Sequence, residues 1–74
     1  MTQLSKYEAM IVKSGSKLTK QRKQILKVIV DHSDEHFSAE TLYDLVRHID
    51  SSIGIATVYR TLELFEKLKI IRNV

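Results

Sequence analysis

One stretch, "GIATVYRTLELFEKL" (Gly54 to Leu68), limits most sharply what this chain can become. Ile55, Val58, Leu62 and Phe65 recur on a single stripe, with Thr61 and Leu68 at its edge. That spacing is the 3.6-residue period of an amphipathic helix, and it predicts a helix from about Ile55 to Lys69. The same period appears three more times. Leu4, Tyr7, Met10 and Ile11 form the apolar side of a helix over roughly Gln3 to Lys13, which "KSGSK" interrupts. Thr19 is a good N-cap for a second helix reaching about Asp31. Its inward stripe is Leu18, the stem of Arg22, Ile25, Leu26 and Ile29, flanked by Val28 and Val30. After the polar "DHSDEHF", Ser38 caps a third helix whose core stripe is Ala39, Leu42, Leu45, Val46 and Ile49, with Glu40 suiting its positive end. "DSSIG" is a turn into the fourth helix, and "IIRNV" (Ile70 to Val74) reads as the start of a β-strand. The chain contains no proline, so nothing in it forces a helix to break.

Seventy-four residues make one domain, 1–74, with a small core, because a chain this short buries only about 60% of its unfolded surface. Its apolar fraction of 43% is ordinary for a globular chain. No run approaches the roughly 20 apolar residues of a membrane span, and "MTQLSKYEAM" lacks the apolar centre of a signal peptide. There is no cysteine, which excludes disulfides and thiolate metal sites within these residues and fits a cytoplasmic protein. The net charge of +3 is mild, but its distribution is not. Six basic residues and no acid lie between Lys13 and Lys27, whereas six acids and one base, Arg47, lie between Asp31 and Asp50. A segregated basic segment suits a polyanion.

Short helices with brief connections, followed by a strand, match a mainly α architecture. The expected fold is a winged helix-turn-helix, a three-helix core plus an N-terminal helix, with the wing truncated after its first strand. The third and fourth helices form the pair, and the second of them leads into the major groove with its N-terminal residues. Opposite its apolar stripe the fourth helix offers Ala56, Tyr59, Arg60, Glu63 and Lys67. Small Ala56 permits close approach to bases, Thr57 and Tyr59 can hydrogen-bond or touch thymine methyls, and Arg60 reaches guanine or phosphate. The free N–H groups near Gly54 to Thr57 suit a phosphate. Catalysis has no support. Glu40 and Asp44 stand four apart with no partner base, no nucleophile motif is present, and there is no phosphate-cradling glycine loop. The acids Asp31, Asp34 and Glu35 lack the spacing and glycine of a calcium loop. His32 and His48 read as surface residues, and Lys20 and Lys23 as general electrostatic attraction.

"LTKQRKQIL", "HFSAETLYDLV" and "GIATVYRTLELFEKLKII" resemble, in that order and spacing, the helices of the ferric uptake regulator (Fur) family. The resemblance covers about Gly15 to Ile71. It implies the N-terminal winged-helix domain of a metal-dependent transcriptional repressor that binds AT-rich palindromic operators on double-stranded DNA as a homodimer. Carried over residue by residue, Tyr59 and Arg60 sit where the family's recognition helix meets DNA, with Ala56 and Thr57 just before them. Arg22 matches an arginine that contacts the DNA backbone. Lys17 matches a basic residue reaching toward the minor groove, and Thr19 lies near the phosphates. His36 matches a histidine that joins the regulatory metal site in many members. The family's dimerisation domain, its His-rich segment and its second wing strand have no counterpart here. His36 is thus a metal ligand only within a longer parent chain, one binding iron, zinc or manganese. No cofactor is expected in these residues themselves, since one histidine makes no site. The expectation is an excised or truncated DNA-binding domain, or a natural short form. The rival reading is a protein-interaction module built on a truncated winged helix, using the first helix and "KIIRNV".

Overall fold

A computed structural model describes residues 3–32 and 38–71. It contains four helices: α1 (Gln3–Lys13), α2 (Lys20–Asp31), α3 (Ala39–Ile49) and α4 (Ile55–Lys67). Their limits follow from local chemistry. The Thr19 hydroxyl accepts from the Arg22 backbone N–H at 3.1 Å, and Ser38 accepts from that of Thr41 at 3.2 Å, each satisfying a donor the helix leaves free. At the end of α1, the Ser14 hydroxyl donates to the Ile11 carbonyl at 2.6 Å, and Gly15 takes φ +88°, a left-handed turn open to glycine at no steric cost.

Between α3 and α4 the turn is tied by one side chain. Asp50 Oδ1 accepts from both the backbone N–H (2.9 Å) and the hydroxyl (2.5 Å) of Ser52, while the Asp50 carbonyl accepts from the N–H of Ile53. Asp50 is held below its ordinary 3.8, chiefly by the Ser52 hydroxyl, then by the Ser52 N–H and the charge of Lys20. This turn aims Ile53 into the core at 1% exposure and launches α4 from Gly54.

The core comprises Ile11, Ile25, Leu26, Val28, Leu42, Val46, Ile53, Val58, Phe65 and Ile70, with Thr61 buried among them. α3 packs most closely on α4, α2 touches all three other helices, and α1 lies against α2 alone. Several positions differ from the sequence expectation. Ile55 is 40% exposed and Ile49 57% exposed, whereas Thr61, expected at the edge, is 1% exposed. The inward line of α4 runs through Val58, Thr61 and Phe65. At 100° per residue, Ile55 then falls roughly 90° from its centre. Ile49, in the last turn of α3, runs past the end of the core. On α2, Val28 is buried and Ile29 only half-buried, exchanging the expected stripe and flank.

The expected strand is not formed at Ile70 or Ile71, and no strand occurs among the described residues; 72–74 lie outside them. The helix end takes these backbone groups instead. Lys69 adopts φ +61°, its N–H donates to the Glu66 carbonyl at 3.0 Å, and the Ile70 N–H returns to the Phe65 carbonyl at 2.9 Å. This is a Schellman closure, and it folds Ile70 back into the core. α4 consequently stops at Lys67, two residues before the expected Lys69. Among the described residues no helix is long and apolar enough to cross a membrane.

Candidate nucleic-acid interface

The start of α2, with the segment before it, and the N-terminal half of α4 line an open cleft of about 450 Å³. Ser16, Lys17, Thr19, Gln21 and Arg22 line one wall; Thr57, Arg60 and Thr61 line the other. Three cations face this space and no acid does. Five of the residues singled out in the sequence, Lys17, Thr19, Arg22, Thr57 and Arg60, therefore meet in one place, although the two groups lie far apart along the chain.

Their local bonding differs. Arg22 is half-buried, and its Nη1 donates to the Lys17 carbonyl at 2.6 Å, which folds the segment ahead of α2 onto the helix. A guanidinium has five donors, so four remain for a ligand. Thr19 uses its oxygen as a cap, leaving its proton to donate. The side chains of Lys17 and Arg60 are exposed and have no partner among the described residues. Such a site can hold an oxyanion through charge and directed N–H and O–H donors together.

Ala56 and Tyr59 do not line the cleft; they continue the exposed side of α4 beside it. Tyr59 is 46% exposed, and its hydroxyl donates to Glu40 Oε1 at 3.0 Å, bridging α4 to the first turn of α3. A bond from its own backbone N–H to the carboxylate, and then one from the Tyr59 hydroxyl, hold the Glu40 carboxyl below its ordinary 4.5. The same bond and the carboxylate charge push the Tyr59 phenol above 10. At neutral pH this is a phenol donating to a carboxylate. Sequence reasoning missed Ser16, Gln21 and Thr61 as cleft residues and Glu40 as the partner of Tyr59. The basic residues were found because charge is visible locally, whereas a pairing across 19 positions leaves no local mark.

His36 lies outside the described residues. Among those described, no group of three or more His, Cys, Asp or Glu side chains comes together, so they do not fit a metal ion. The Nδ1 of His32 is engaged with the Val28 carbonyl at 2.9 Å, and that of His48 with the Asp44 carbonyl.

Sequence comparison decides the lineage of this arrangement. The profile of the ferric uptake regulator family matches residues 13–74. The chain belongs to the ferric uptake regulator family. Over 61 residues it is 44% identical to the ferric uptake regulation protein of Bacillus subtilis, covering 82% of this chain and 41% of that protein. Its counterpart in Campylobacter upsaliensis is 41% identical over 73 residues, or 96% of this chain and 46% of the relative. That of Haemophilus influenzae is 40% identical over 62 residues, 84% and 42% of the two chains. This Fur-family chain thus spans less than half the length of these relatives. No solved structure matches it. Fur-family proteins are metal-responsive transcriptional regulators.

Proposed function

We propose that this chain is the operator-reading domain of a metal-responsive repressor, a single unit over residues 1–74 that binds double-stranded DNA in a sequence-specific way. The observation that carries the reading is the acid-free cleft where Lys17 and Arg22 face Arg60 across the gap between α2 and α4. In this reading α4 enters the major groove. Ala56 admits the backbone close to the bases, Thr57 and Tyr59 meet base edges, and Arg60 reaches guanine or a phosphate. Lys17, Thr19 and Arg22 hold phosphates and fix the register, which by itself carries no sequence information. Bound over a promoter, the protein blocks transcription.

A site this small contacts few base pairs, so affinity and half-site spacing come from pairing two copies in the cytoplasm on an AT-rich palindrome. Metal responsiveness belongs to a longer parent chain, where His36 supplies one ligand for iron, zinc or manganese. The rival reading, a protein-interaction module, has no observation in its favour. It relies on the first helix and the segment after α4, and Ile70 of that segment is spent in the core.

Fluorescence anisotropy tests the proposal, using a labelled AT-rich palindromic duplex and a scrambled duplex of equal composition, at low and physiological salt without added metal. The expected result is tighter binding to the palindrome that persists at the higher salt. Equal binding to both duplexes, vanishing with salt, would reduce the function to attraction by the basic segment.

A further inference from the structure

Glu40 is out of place on a surface that meets phosphates. It is an exposed acid on the first turn of α3, beside the side of α4 proposed to enter the groove, and its charge opposes that approach. Across to α4 it is bonded to Tyr59, whose hydroxyl donates to Oε1 at 3.0 Å. A phenol has a single proton and two lone pairs. Once the proton is committed to a carboxylate, which has none to give back, the oxygen can present only lone pairs to anything else. Phosphate oxygens, guanine O6 and N7, and thymine O4 are all acceptors, and they are of no use to it. The amino groups of adenine N6 and cytosine N4 are the major-groove donors.

We infer that Glu40 is a specificity-determining positioning residue: by taking the proton of Tyr59 it fixes that side chain and turns its hydroxyl into an acceptor, so that Tyr59 selects an amino-bearing base, adenine or cytosine, over guanine, thymine and the phosphate backbone. This inference rests on the DNA-reading proposal above. The bond also joins the two helices of the proposed reading pair, so the orientation of Tyr59 is set before DNA arrives. Pre-setting it lowers the ordering cost of binding. The carboxylate is thereby explained as a device that gives up some electrostatic attraction for base choice.

Two measurements on the 74-residue chain test this separately from DNA binding as such. In the first, the free protein carries tyrosine labelled at 13Cζ, and the Tyr59 signal is titrated with alkali. Tyr59 is expected to titrate at lower pH in Glu40→Ala than in the parent. An unchanged Tyr59 would mean the pair does not exist in solution and would overturn the inference whatever the DNA result.

In the second, each protein selects from a pool of random 20-base-pair duplexes. The parent is expected to favour adenine or cytosine at one position, and Tyr59→Phe to lose that preference by roughly 3- to 10-fold, as for one neutral hydrogen bond. Glu40→Ala is expected to lose it to the same extent, and the double variant to lose no more. Glu40→Gln keeps the shape but can donate to the phenol oxygen. It is expected to admit guanine or thymine at that position with overall affinity held or raised. A purely structural role would instead weaken all sequences alike and leave the preference intact, and that result would overturn the inference. If the parent enriches no sequence although Tyr59 titrates as expected, the pair stands and the DNA-reading proposal falls, taking the specificity role with it.

Discussion

Gly54 is a residue whose identity the isolated fold does not require. Its backbone (φ −88°, ψ 163°) is open to any residue, an added Cβ would meet nothing within 4 Å, and it caps α4 with no side-chain hydrogen bond. A side-chain cap would do better for the fold alone. Under the DNA reading the lack is purposeful, because the uncapped N–H groups at the start of α4 are left for a phosphate. Gly54→Asp is therefore expected to move stability and binding in opposite directions. Capping should raise stability by a few tenths of a kcal/mol, seen as a higher denaturant midpoint, while the duplex anisotropy midpoint rises. A variant that binds DNA as tightly as the parent would remove Gly54 from the interface. Arg60 gives a second test. It is exposed and has no partner among the described residues, so Arg60→Ala should leave the far-ultraviolet circular dichroism and thermal midpoint unchanged. If the guanidinium reads a base, its loss costs about 1–3 kcal/mol of affinity for the preferred duplex. Silence in that assay would sink the proposed role of α4.

The elements show which parts of this structure are written locally. α1, α2 and α3 begin and end where the apolar period and the caps Thr19 and Ser38 place them, because each signal acts within one turn of chain. At Ile70 and Ile71 the strand pattern is overridden by a contact that is not local. Two adjacent isoleucines suit a strand, but Ile70 is worth more in the core over Phe65, and reaching it requires Lys69 to turn left-handed. A lysine there carries a steric penalty of about 1–2 kcal/mol, and glycine would avoid it while losing more backbone entropy on folding. The net expectation for Lys69→Gly is a gain of roughly 0.5–1 kcal/mol in urea unfolding. A loss would show that the closure does not persist in solution. The turn between α3 and α4 adds a pH signature. Asp50 titrates below its ordinary 3.8 when folded, so its contribution is present above that value and is lost as pH falls through the lower folded one. The thermal midpoint should drop in that acid range, and Asp50→Asn should flatten the drop. Equal acid sensitivity in both proteins would mean the Ser52 bonds contribute nothing. The site was legible only in halves: Lys17 and Arg22 stand out by charge, and Tyr59 and Arg60 by their face on α4. That the first pair shares a cleft with Arg60, while Tyr59 reaches Glu40, depends on how α2, α3 and α4 pack, which no local pattern encodes.

The size of the whole molecule decides how it can use a palindrome. Its extents are 28 × 24 × 22 Å, and half-sites related by one helical turn have centres about 34 Å apart. Under the proposed DNA reading, one copy with a single α4 meets one half-site, and the other needs a second copy in the opposite orientation. Whether the two help each other depends on a surface they share. The exposed large apolar side chains among the described residues, Val12, Ile49, Ile55 and Tyr59, are spread over three helices, and the proposal gives Tyr59 to DNA. Such scattered groups are ordinary for a monomer and do not amount to a dimer interface. Two copies of the 74-residue chain are thus expected to fill a palindromic duplex independently. Titration calorimetry should give two equivalent sites, each with the affinity measured on a half-site duplex carrying one copy of the same sequence. Clear positive cooperativity, with the second site filling more tightly than the half-site duplex predicts, would mean that these residues pair on DNA and that reading and dimerisation are not separate parts of the protein.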